Sequence, residues 1–206
     1  MDRGRDNARV LAGLYCGILG GIRRVAALER KKMGARGAVV MGFFGAVFAA
    51  LTMHLQWQLG GIMLAVPFIV FLAIGAAAAH TLRSEGDGIV LSERTRKALV
   101  WSSTGEGIGV FIAANVVANL HRPDLLLPAI ALVVGLHFLP IAHAAAFRPF
   151  YVLGAFLLLA AAIGFAVAAP LGGDIAGIAA ALALWCASAA AIGRDRQVKR
   201  ASLARG

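Results

Sequence analysis

Residues 98–147 read ALVWSSTGEGIGVFIAANVVANL, then HRPD, then LLLPAIALVVGLHFLPIAHAAAF. Each apolar segment is long enough as a helix to cross a hydrocarbon core of roughly 30 Å, and a four-residue break is too short for anything but an antiparallel return. This pair decides the fold class: an all-α integral membrane protein. It also poses the functional question. The first segment carries Glu106 between glycines and the second carries His137 just before Phe138, Leu139 and Pro140. A carboxylate and an imidazole in hydrocarbon need a physical reason.

The rest of the chain repeats the pattern. It is 60% apolar, with a mean hydropathy of +0.81, against about 45–50% apolar in soluble domains. The excess falls in blocks of membrane-spanning length. Six are expected, at about 38–57, 62–82, 98–120, 125–147, 150–169 and 175–193, so a six-transmembrane-helix domain occupies 37–193. A basic arm (1–36) precedes it and a basic tail (194–206) follows. Within the arm, residues 10–22 are apolar but too short to span, and Arg23 and Arg24 follow where a signal peptide would carry a cleavage site. An interfacial amphipathic helix fits there, with Gly13, Gly17 and Gly21 smoothing one face. Pro67 sits in the first turns of the second span, where a missing N–H costs least, and Ser92 is placed to cap the helix entering the third.

The formal charge is +10, yet it does not imply nucleic acid, because the basic residues lie between the apolar blocks. With six spans, nineteen of the 20 Lys and Arg fall on one side and Arg122 alone on the other. Positive charge is retained in the cytoplasm, so both termini are expected there, facing anionic headgroups. Small residues recur every fourth position at Ala38, Gly42, Ala46 and Ala50, and at Ala179, Ala183, Ala187 and Ala191. Such faces let helices approach closely, within one chain or in a homo-oligomer.

Glu106 lies roughly 12 Å from the basic boundary and His137 roughly 15 Å, at 1.5 Å per helical residue. The two come to similar depth on neighbouring helices. Ser102 and Ser103 precede Glu106 by four and three residues and share its side of the helix. Gly105, Gly107 and Gly109 flank it, the first and third forming a small-xxx-small pair. Pro140 removes an N–H and frees the carbonyl of Leu136 beside His137; a kink there would widen the space next to the imidazole. Asn115 lies on the far side of the third span from Glu106, and His143 falls on another face from His137. Two readings follow: a protonatable or ligand-binding carboxylate partnered by His137, or a structural clamp in which the same groups fix helix packing.

No HExxH, GxSxG or P-loop pattern occurs, the five histidines fall at different depths, and Cys16 and Cys186 form no metal or disulfide pattern. No metal, cofactor or catalytic nucleophile is therefore expected. The strings EGIG and VVGLHFLPIA resemble a group of small bacterial multi-pass membrane proteins without an assigned activity, over about residues 101–158. That resemblance implies a bacterial inner-membrane location and nothing about chemistry. The expected function is a small proton- or cation-coupled transporter using Glu106; the alternative is a non-catalytic scaffold or assembly subunit.

Overall fold

The computed structural model describes residues 33–86, 89 and 92–205. The interfacial helix expected at 10–22 and Cys16 lie outside the described residues. Six α-helices are described: α1 (Met33–Leu55), α2 (Val66–Arg83), α3 (Glu93–Asn119), α4 (Leu126–Ala145), α5 (Arg148–Ala166) and α6 (Leu171–Leu203). Short 3-10 turns, Gly61–Ala65 and Pro123–Leu125, lead into α2 and α4. Among the described residues every regular element is helical. Five helical stretches are long and apolar enough to cross a membrane. The remaining one, α3, has 27 residues but is diluted by Ser102, Ser103, Thr104, Glu106 and Asn115.

The helix ends follow local chemistry. Ser92 caps α3, its hydroxyl oxygen accepting from the Thr95 amide at 3.1 Å. Prolines in the first turns of α2 and α5 occupy positions whose amides need no intrahelical partner. Ala146 closes α4 in the left-handed conformation, with φ 49° and ψ 41°.

The helices pack as a row. α2 lies on α1, α1 on α6, α6 on α5 and more lightly on α4, α5 on α4, and α4 on α3. Consecutive helices α2 and α3 thus stand at opposite ends of the row. The centre is closed by Phe48, Leu127, Leu157 and Leu184, all fully buried. Between membrane helices cohesion comes from close packing more than from the hydrophobic effect, and glycine makes the approach close. A Cβ on Gly164 of α5 would lie 2.8 Å from the Ala176 Cβ, 2.9 Å from the Gly172 oxygen and 2.9 Å from the Pro128 Cγ. One on Gly154 would lie 3.0 Å from the Gly135 oxygen.

The small-residue faces expected from the sequence are met in part. Ala38 and Ala46 of α1 are fully buried, and Gly42 packs on Ile74 of α2. In α6, however, the stripe Ala179, Ala183, Ala187 and Ala191 is only half-buried. The packed face is its neighbour, through Gly173, Gly177, Ala180, Ala181, Leu184, Ser188 and Ile192.

That face continues beyond the expected boundary at residue 193. No separate tail begins there, since α6 runs unbroken to Leu203, and Asp195 and Lys199 are buried. The Lys199 Nζ donates to the carbonyls of Thr81 and Ser84 (2.9 Å to the latter), and Arg196 Nε donates to Thr81 Oγ1 at 2.8 Å. Cations therefore cap the carbonyl end of α2, where the helix dipole favours them. At the opposite end of the helix axes Trp57 Nε1 donates to Asp174 Oδ1 at 2.9 Å, tying the α1 exit to α6. Similarly the expected arm ends early: α1 begins at Met33, so Arg36 stands on its first turns.

Neighbouring helices run antiparallel, so the basic residues gather at one end of the helix axes, along one edge of the bundle. Arg36, Arg83, Arg94, Arg96, Lys97, Arg148 and the arginines and lysine of the α6 extension are there; Arg122 is at the other end, paired with Asp124 at 2.8 Å.

Candidate functional site

The six-residue link after α3 (120–125) returns the chain as α4, and α3 packs on α4. This brings Glu106 and His137 together. Glu106 Oε2 lies 3.5 Å from His137 Nδ1, with the side chains 13% and 8% exposed. Ser102 joins them: its Oγ lies 2.7 Å from the backbone oxygen of His137 and 3.0 Å from Nδ1.

These distances fix the proton positions. A carbonyl oxygen only accepts, so the single hydroxyl proton of Ser102 goes to His137 O. The contact from Nδ1 to Ser102 Oγ then needs the imidazole as donor. Nδ1 then donates to the serine oxygen, and Glu106 Oε2 stands 3.5 Å from the same nitrogen. The T-shaped contact between His137 and the Phe138 ring, 5.2 Å between centroids, holds the imidazole from its own helix.

Of the other residues singled out from sequence, Gly109 lies in the seam, where a Cβ would come 2.8 Å from Val133 Cγ1. Gly105 and Gly107 do not: nothing lies within 4 Å of a Cβ built on either, so they face outward. Gly105 and Gly109 thus do not act as a small-xxx-small pair. Ser103 is exposed and outside the cluster. Rotation explains this: Ser102, Glu106 and Gly109 follow the 3.6-residue stripe facing α4, and the positions between them turn away. Pro140 is exposed, and α4 continues through it to Ala145. Asn115 bonds the Phe111 carbonyl of its own helix at 2.8 Å.

Sequence reasoning missed the cluster at the basic end of α6. Asp195 is fully buried; one carboxylate oxygen accepts from the Ile89 amide at 3.3 Å and the other has no hydrogen-bond partner among the described residues. Composition assigned this segment to water. The signal that identifies it is spacing: Leu184, Ser188, Ile192, Asp195 and Lys199 continue one helical stripe past the last apolar residue. Among the described residues no three His, Cys, Asp or Glu side chains gather as a metal site.

No family model matches this chain, and neither does any curated protein or solved structure. The site is therefore interpreted from its own geometry.

Proposed function

We propose that this chain is a six-span membrane protein of the bacterial inner membrane with both termini in the cytoplasm, and that it is a small proton- or cation-coupled transporter in which Glu106 and His137 take up the coupling ion. The carrying observation is the 3.5 Å approach of Glu106 to His137 between neighbouring helices, both side chains nearly buried. An intramembrane charge costs about 2.5–3.5 kcal/mol on insertion scales, so an acid and a base kept there together are more readily explained by use than by chance. The segregation of basic residues to one end supports the orientation.

The test is proton flux in proteoliposomes under an imposed pH gradient, for the wild type and Glu106→Gln. Flux in the wild type with loss in the variant supports the reading. No wild-type flux, or equal flux in the two, refutes it.

A second reading has its own observation. Among the described residues α3 is the most polar helix, and its main packing partner is α4. The bond from Ser102 to the His137 backbone holds that pair together whatever the protonation state. In this reading the chain is a scaffold or assembly subunit and the cluster is a clamp. Glu106→Ala then lowers thermal stability while Glu106→Gln, which preserves hydrogen bonding, does not.

A further inference from the structure

At the basic end of the α3–α4 seam three helices bring donors to one point. Arg94 of α3 directs its Nη2 at His143 Nε2 of α4, 3.5 Å away, and Tyr151 of α5 places its hydroxyl 3.4 Å from His143 Nδ1. The arrangement is held from below, because Thr95 Oγ1 donates to the Ala144 carbonyl at 3.0 Å. Both contacts to the imidazole are at the outer limit of hydrogen bonding, whose usual range is about 2.7–3.2 Å. Among the described residues Arg94 has no carboxylate partner, nor does Arg194, which stacks 4.0 Å above the Phe147 ring at the same helix end. Arginine only donates, so Nε2 of the imidazole accepts from it and the ring proton on Nδ1 faces the tyrosine oxygen; the rest of the guanidinium fork and the phenol proton converge there unspent. That donor set is suited to a phosphate oxyanion.

Position selects which phosphate. The cluster stands where α3 and α5 begin and α4 ends, the headgroup level of helices of this length. Directly along α3 and α5 the surface is apolar and open: Val100 and Trp101 on one, Val152 and Phe156 on the other. A phosphate held at the helix ends would have acyl chains lying along these residues, and Tyr151 has the amphipathic character of an interfacial anchor.

We propose that Arg94 and Tyr151, positioned by His143 between them, form a binding site for the phosphate of an anionic phospholipid, occupied in the membrane and clamping α3 against α4. This goes beyond diffuse attraction of basic loops to anionic lipid, because it assigns the recognition to one cluster. It does not depend on the transport reading or on which side of the membrane the basic end faces.

The test uses the full chain purified in a neutral detergent. Binding is followed by native mass spectrometry and by thermal stability, with phosphatidylglycerol, phosphatidylcholine or inorganic phosphate added separately. The expected result is retention of, and stabilisation by, phosphatidylglycerol over both alternatives. Arg94→Gln should weaken this about ten-fold, the loss expected for one charge-assisted hydrogen bond, and Tyr151→Phe should weaken it less. Lys97→Gln, which removes an exposed charge paired with Glu93 on the same turn, should leave it unchanged. Arg94 and Tyr151 are exposed, so both variants are expected to fold. Equal binding by Arg94→Gln and the wild type overturns the site. An equal response to inorganic phosphate overturns the lipid assignment, and an equal loss in Lys97→Gln returns the effect to diffuse charge.

Discussion

Gly164 offers the strictest test of how the bundle is held. A Cβ there would meet the Ala176 Cβ at 2.8 Å, the Gly172 oxygen at 2.9 Å and the Pro128 Cγ at 2.9 Å. None of these is the end of a flexible side chain. One is backbone, one a proline ring and one the first carbon of an alanine, and they belong to two different helices, α4 and α6. Ordinary contact begins at 3.4 Å, so Gly164→Ala requires about 0.6 Å of retreat from both neighbours at once. Over-packing of this kind costs about 1–3 kcal/mol. Replacing glycine by alanine within a helix returns about 1 kcal/mol of propensity. With no side chain able to rotate away, the high end of the cost applies, and the net expectation is a loss of about 2 kcal/mol. Gly107→Ala is the matched control: the same chemical change in a helix, with nothing within 4 Å, expected to gain up to about 1 kcal/mol. Both are measured by reversible unfolding in mixed micelles titrated with sodium dodecyl sulfate. A Gly164→Ala variant as stable as the wild type would refute the close packing of α5 on α4 and α6. Adding Ala176→Gly should recover part of the loss, and strict additivity of the two changes would show that their atoms do not meet.

Two further outcomes concern the basic end of the helix axes. Lys199→Met removes the cation that caps the Thr81 and Ser84 carbonyls in a buried setting; a loss of about 3 kcal/mol is expected, read from the same unfolding curves, with faster tryptic cleavage after Arg83 as α2 loosens. Ala146→Gly relieves the left-handed residue that ends α4 (φ 49°), and a gain of about 0.5–1 kcal/mol is expected, since glycine adopts that conformation without steric cost but enlarges the unfolded ensemble.

What was legible in the sequence follows from which interactions are local. Block length and the flanking turns located the helices, because Ser92, Pro67 and the proline at the start of α5 act on their own first turns. The similar depth of Glu106 and His137 was legible as well, since a four-residue break forces two helices antiparallel; that their side chains meet was not. Rotation about each helix axis was not legible. It is set by packing against α4, and it separates Ser102 from Ser103 and turns Gly105, Gly107 and Pro140 outward. Burial of Asp195 and Lys199 was missed for a different reason, although their spacing continues the buried stripe of α6. Composition places such residues in water, and only the carbonyl end of α2, more than a hundred residues away in sequence, supplies the acceptors that make burial of Lys199 affordable.

The row arrangement also constrains how the candidate site can work. Because α3 is the last of the described helices in the row and packs mainly on α4, the Glu106–His137 pair lies in a seam near the edge of the bundle and not among its most buried side chains. If the proposed transport operates, an ion entering along that seam would need α3 to shift against α4. The contacts that resist this shift are few and identifiable: Ser102 to the His137 carbonyl, Gly109 against Val133, and Thr95 to the Ala144 carbonyl. The clamp and transport readings therefore differ in whether one seam opens, not in which residues matter. A disulfide joining α3 to α4 beside Thr95 would separate them: it would abolish flux in a transporter and only add stability to a scaffold.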